Sequence, residues 1–157
     1  MTIATRLKNY IESAGVPYDT VAHQRTATSR QSALAAHVPG SRMAKTVVVH
    51  HELGFALAVV PSTHRVELGA LQEVMNKRLG LATEDEAGLL FEDCDVGAIP
   101  PIGAAYGVPV VLDESFGDAS DVYFEGGDHR TLVHVSGRDF RDLTRDSTLA
   151  RFSHPAQ

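Results

Sequence analysis

What is scarce in this chain already excludes a good deal. It has one cysteine, Cys94, in 157 residues, so no internal disulfide framework is available. No apolar run approaches the ~20 residues that a membrane-spanning helix needs, and residues 1–8 lack the continuous apolar core of a signal peptide. Basic residues are also short, 14 against 20 acidic, for a net charge of −6. That balance argues against a general nucleic-acid binder, whose affinity comes from many phosphate contacts. A protein touching only the end of a nucleic acid through a local patch remains allowed, with few phosphate contacts and a shallow salt dependence. There is no phosphate-cradling Walker loop, dinucleotide fingerprint, internal repeat or low-complexity tract. A soluble cytoplasmic protein that binds no membrane is expected.

The 43% of apolar residues in a 157-residue chain suffices for one domain with a real core. Its organising stretch is Ala44-Lys45-Thr46-Val47-Val48-Val49, followed by a turn at Glu52-Leu53-Gly54 and a second apolar run, residues 55–60. The pattern predicts a hairpin of two largely buried strands. Strand alternation puts Lys45 on one face with Val47 and Val49, and Thr46 and Val48 on the other. A lysine so placed either snorkels to solvent or serves a cleft that binds or polarises an anionic or carbonyl-bearing ligand.

Around this hairpin the spacing predicts a helix over residues 2–14, stopped by Gly15 and Pro17, and a short strand over 18–22. His23 opens a polar stretch, and Ser29 is placed to cap a second helix reaching about His37. Leu68, Leu71, Met75 and Leu79 mark a third helix ended by Gly80. Thr83 to Glu86 is a capping box, so a short helix should run over 84–91. Residues 96–103 hold two prolines and two glycines and must be irregular. Strands are expected over 108–112, 121–125 and 131–135, the last two joined by Gly126-Gly127-Asp128. Ser136 with Asp139 starts a last helix ending near Thr144, and the tail over 145–157 is weakly patterned and expected to fray. Helices alternating with antiparallel strand pairs indicate an α+β fold: a single domain, 1–157, whose mixed and mostly antiparallel sheet is flanked by helices.

Two features carry candidate chemistry. Glycines at 97 and 103 let a ligand approach backbone amides closely, which would suit a carbonyl or a developing oxyanion; a rigid turn would read the same way. Cys94 matches no cysteine-enzyme signature and reads as a small core residue. His51-Glu52 begins a zinc motif, but position 55 is Phe and the segment is a hairpin. His50, His51 and His64 have no recognised ligand spacing, and neither metal nor cofactor is expected.

His23 in a polar loop, Ala44-Lys45-Thr46 leading a strand, Gly97-Ala98-Ile99-Pro100-Pro101 with Gly103, Val110 to Asp113, and the Gly126-Gly127-Asp128-His129 hairpin follow one another in a familiar order. In this succession the chain resembles the YbaK family and the editing domain inserted in bacterial prolyl-tRNA synthetases, over residues 18–144. The resemblance implies a free-standing trans-editing aminoacyl-tRNA deacylase that hydrolyses the ester of a mischarged tRNA at its acceptor end, alone or with a tRNA synthetase. It implies an essential role for Lys45 and a pocket shaped by Gly97 to Pro101, and it places His129 near a position that helps choose the amino acid. His23, Gly103 and Asp113 belong to the same expected site. Ile99, Pro100, Pro101 and Ile102 would supply walls that admit alanine, cysteine or serine and exclude bulkier groups, on tRNA-Pro for example. No general base is evident; the ribose hydroxyl of the tRNA or a substrate thiol could assist. Two rivals are a non-catalytic module holding an aminoacyl-adenosine end or a small amino-acid-like ligand, and a Schiff-base enzyme built on Lys45.

Overall fold

In the computed structural model, residues 3–156 are described. The predicted hairpin forms as β2, Ala44–His51, and β3, Gly54–Pro61. They pair antiparallel from Ala44↔Pro61 to His51↔Gly54. Strand β3 lies at the centre of a five-stranded sheet and is buried on both faces. Its odd positions Leu57 and Val59 join one core cluster and its even positions Ala56, Ala58 and Val60 join a second, so the run is continuously apolar rather than alternating. The remaining strands of this sheet are β5, Gly80–Leu81, beside β2, then β6, Val110–Asp113, and β9, Thr148–Ala150, on the far side. Strand β6 is parallel to both β3 and β9; the mixed character comes from these two junctions.

A three-stranded antiparallel sheet is built from β1, Asp19–Ala22, with β7, Asp121–Glu125, and β8, Thr131–Ser136, in the order β1-β8-β7. A bridge from Met43 to Tyr123 joins its edge to the start of β2. Between the sheets lies the larger core. It takes Leu7 and Ile11 from α1, Thr5–Ser13, Ala87 from α4, Glu84–Leu90, and Phe140 and Leu143 from α5, Gly137–Leu143. The two capping signals are realised. Thr83 and Glu86 form the reciprocal box on α4, and Ser136 accepts from the Asp139 amide on α5.

Four expectations shift. Helix α2, Ser29–Ala35, is capped by Thr28 rather than Ser29, because the Thr28 hydroxyl accepts from the Gln31 amide. Helix α3, Leu68–Met75, stops before Leu79, since Asn76 turns left-handed at φ 54° and so ends the hydrogen-bond ladder. Within the predicted strand over 108–112 pairing begins at Val110. The tail does not fray. It supplies β9 and then β10, Ser153–Pro155, which pairs antiparallel with β4, His64–Val66. Phe152 between them is fully buried in the second core cluster. The predicted helix start at Thr2 lies outside the described residues.

Candidate functional site

Three irregular segments meet at one place. After β1, the His23 amide donates to the Arg130 carbonyl at 2.8 Å and the Thr26 amide to the His129 carbonyl at 3.3 Å. The Asp95 amide donates to the Gly127 carbonyl at 2.7 Å. The β7–β8 connection is itself knotted by Asp128, whose carboxylate accepts from the Arg130 and Thr131 amides and the Thr131 hydroxyl. These ties hold His129 at φ 61°, a left-handed conformation unusual for a residue with a side chain and characteristic of functional sites. Its Nε2 lies 2.5 Å from the Val96 carbonyl. A carbonyl only accepts, so Nε2 donates, and the buried Nδ1 has no hydrogen-bond partner among the described residues.

Gly97 sits against this ring. Its φ is +87°, and a Cβ there would lie 3.0 Å from His129 Cε1 and 3.3 Å from the Ala27 carbonyl oxygen. The Ala98 amide is taken by the Asp95 carbonyl, whereas the amides of Gly97 and Ile99 have no protein acceptor among the described residues. Two free N–H groups one residue apart are the kind of donor array that an oxyanion requires. Thus His23, Gly97 and His129, far apart in sequence, are brought together.

Below them lies a residue that the sequence reading did not single out, Glu125 at the end of β7. It is 1% exposed. Its Oε2 accepts from the Ser32 hydroxyl at 3.0 Å, and Ser32 Oγ lies 2.5 Å from Thr26 Oγ1. Its Oε1 faces His23 Nε2 at 3.9 Å, with the His23 side chain fully buried. Burial lifts the Glu125 carboxyl to about 7, the Ser32 hydrogen bond opposing the rise and the Asp128 charge adding to it. In the sequence this acid is one charge between Phe124 and two glycines, indistinguishable from a solvated strand end.

Lys45 is held by different partners. Its Nζ donates to the His64 carbonyl at 2.7 Å, and it lies on the face of β2 shared with Val47 and Val49, as alternation requires. Burial lowers its pKa from the ordinary lysine value, and the charges of Arg65 and Arg30 lower it further. Arg30 belongs to α2, the helix that also carries Ser32, so one short helix bears a charge felt by Lys45 and a hydroxyl bonded to the buried acid. Thr46 on the opposite face has a buried hydroxyl without a partner among the described residues.

The loop from Gly97 divides its residues between surface and core. Ile99 is half-buried, Pro100 and Pro101 are buried, and Ile102 is 1% exposed inside the larger core cluster. Gly103 is required by packing, because a Cβ would run into the Val108 carbonyl. With Pro101 it lines a groove of about 230 Å³ against Leu143 and Ser147. Asp113 is 2% exposed and ties β6 to the tail: its carboxylate accepts from the Ser115 amide and hydroxyl and from the Phe152 amide. Burial alone would raise its pKa, but these hydrogen bonds outweigh it and hold the carboxyl below its ordinary value. Cys94 is pushed up to about 12, chiefly by burial, which suits a packing thiol and not a nucleophile. Among the described residues no His, Cys, Asp or Glu cluster is arranged to hold a metal, and no helix is long and apolar enough to cross a membrane.

Comparison with known proteins gives this geometry a setting. Among curated proteins no sequence matches the chain significantly. Among solved structures, a proposed trans-editing enzyme for prolyl-tRNA synthetase superposes with TM-score 0.84 at 25% identity, over 96% of this chain and 96% of that one. A protein used as a scaffold for computational grafting of linear epitopes aligns equally well, TM-score 0.84 and 25% identity over 96% and 97%. A hypothetical protein shares the fold at TM-score 0.83 and 24% identity over 95% and 99%. The sequence profile of the aminoacyl-tRNA editing domain matches residues 23–143, the span that holds His23, Lys45, Gly97, Glu125 and His129; the chain belongs to the aminoacyl-tRNA editing domain family, and its role is in tRNA editing.

Proposed function

We propose that this chain is a free-standing, trans-acting deacylase that hydrolyses the ester between a wrongly attached small amino acid and the 3′ end of its tRNA. The observation that carries this reading is the meeting of the strained His129 hairpin with the Gly97 turn. There, two unclaimed amides lie beside a buried imidazole at the surface of a chain from a tRNA-editing family. Ester hydrolysis adds water across the acyl C–O bond and passes through an oxyanion. The amides of Gly97 and Ile99 would receive that oxygen. Lys45, with Arg65 and Arg30 close enough to depress its pKa, forms a positive cluster suited to the terminal phosphate. His129 and half-buried Ile99 would bound the acyl group, and a short wall there favours alanine, cysteine or serine over a bulky residue. The acceptor end of tRNA-Pro is the partner expected, by likeness to the proposed prolyl-tRNA trans-editing protein.

The test is an acid-precipitation assay with labelled alanyl-, cysteinyl-, seryl- and prolyl-tRNA. Release of the small amino acids and sparing of prolyl-tRNA is the expected result. Saturable binding of all four without release would instead establish a non-catalytic aminoacyl-adenosine module.

A further inference from the structure

The hydrogen bonds around Glu125 leave two facing polar atoms unserved. With Glu125 ionised, Ser32 Oγ donates its only hydrogen to Oε2, and Thr26 Oγ1 then donates to Ser32 Oγ across their 2.5 Å contact. Oε2 and the two hydroxyls thus satisfy one another, whichever way their hydrogens run. On the other side, His23 Nδ1 lies 2.6 Å from the Gln24 carbonyl, which only accepts, so Nδ1 carries a hydrogen. The atoms left are Glu125 Oε1 and His23 Nε2, buried and 3.9 Å apart, too far for a hydrogen bond between them, and each without a hydrogen-bond partner among the described residues. Two lone pairs facing each other in a buried site repel; one proton, on either atom, makes the arrangement attractive.

We infer that His23 and Glu125 hold one proton on one or other of their facing atoms and act as a positioning pair, locking the 23–28 loop onto the His129 hairpin and so fixing the Gly97 turn. The links run through the backbone. The His23 amide holds the Arg130 carbonyl, the Thr26 amide holds the His129 carbonyl, and Ala27 presents its carbonyl to Gly97. Other groups facing the pair are Thr26 from the loop, Ser32 from α2, and Asp128 from the hairpin, whose negative charge further favours keeping the proton. The raised titration of Glu125 agrees with this but is not needed for it. Loss of the proton at alkaline pH frees the loop and weakens substrate positioning. This inference rests on the deacylase reading for its functional consequence only.

The experiment has two arms. In the first, imidazole ¹⁵N NMR of the intact protein, with His23 assigned through His23→Asn, reports the His23 tautomer directly. Expected are a protonated Nδ1 and an Nε2 signal that differs between wild type and Glu125→Gln. A His23 signal identical in wild type and Glu125→Gln at every pH overturns the pairing, whatever the activity. In the second, kcat and KM for small-residue aminoacyl-tRNA are measured against pH, after subtracting spontaneous hydrolysis. Glu125→Gln can turn its N–H toward Nε2 at all pH values. It should stay within about 3-fold of wild type below neutrality and lose the alkaline rise in KM, while Glu125→Ala should raise KM at least about tenfold throughout. Equal impairment of both variants, each folded by circular dichroism, overturns the positioning role. If wild type releases no amino acid from any tRNA, the deacylase reading fails and the NMR arm still decides the pairing.

Discussion

Replacing Gly97 by alanine separates a functional turn from a plain one. The left-handed φ of +87° is a region where a residue with a Cβ carries roughly 1–3 kcal/mol of strain. The added methyl would also sit 3.0 Å from His129 Cε1 and 3.3 Å from the Ala27 carbonyl, so either the imidazole or the loop must give by a few tenths of an ångström. His129 cannot easily rotate away, because Nε2 is fixed on the Val96 carbonyl and its backbone is pinned by Thr26. Stability should therefore fall by about 2 kcal/mol, a loss of roughly 4–8 °C in Tm for a domain of this size. Activity should fall much further, because a displacement approaching 1 Å in a positioning group can cost on the order of 10²-fold. Differential scanning calorimetry and single-turnover deacylation on the same preparation give the two numbers. A variant that melts several degrees lower yet deacylates at the wild-type rate would refute the reasoning and leave Gly97 as a turn residue alone.

Lys45→Ala should abolish deacylation while costing about 1 kcal/mol or less, since it removes one hydrogen bond from a half-exposed side chain to the His64 carbonyl; near-wild-type turnover in the folded variant would remove Lys45 from the mechanism. Ile102→Ala should act mainly on stability, losing about 2–5 kcal/mol by leaving a cavity in the larger core; unchanged Tm together with new activity on bulkier aminoacyl groups would show that Ile102 walls a pocket after all. For Glu125 the sign is that of an acid whose folded pKa is raised. Its contribution is fully present below 4.5 and is lost as pH rises through about 7, a difference on the order of 3 kcal/mol. Wild-type Tm should accordingly fall across that window more than that of Glu125→Gln, and parallel Tm curves for the two proteins would count against a buried, proton-holding Glu125.

Much of the fold was legible because its signals are local. The five-residue apolar run after Phe55, the Thr83–Glu86 box and the Ser136 cap each act within one turn or one strand, so spacing and composition sufficed to place α4, α5 and the central hairpin. The same holds for Lys45, whose face is decided by strand alternation alone. The tail was not legible. Strands β9 and β10 are three residues each and form only because β6 and β4, distant in sequence, offer them edges, with Phe152 filling the second core. No three-residue pattern can announce a partner dozens of residues away. Within the site, His23, Gly97 and His129 could be proposed separately, and their resemblance to a family ordered them. That backbone hydrogen bonds tie the His23 loop to the His129 hairpin with Gly97 packed against both, and that Glu125 lies beneath with Oε1 facing His23, was decided by tertiary structure. Burial gives that carboxyl its chemistry, and burial belongs to the packed chain and not to the residue.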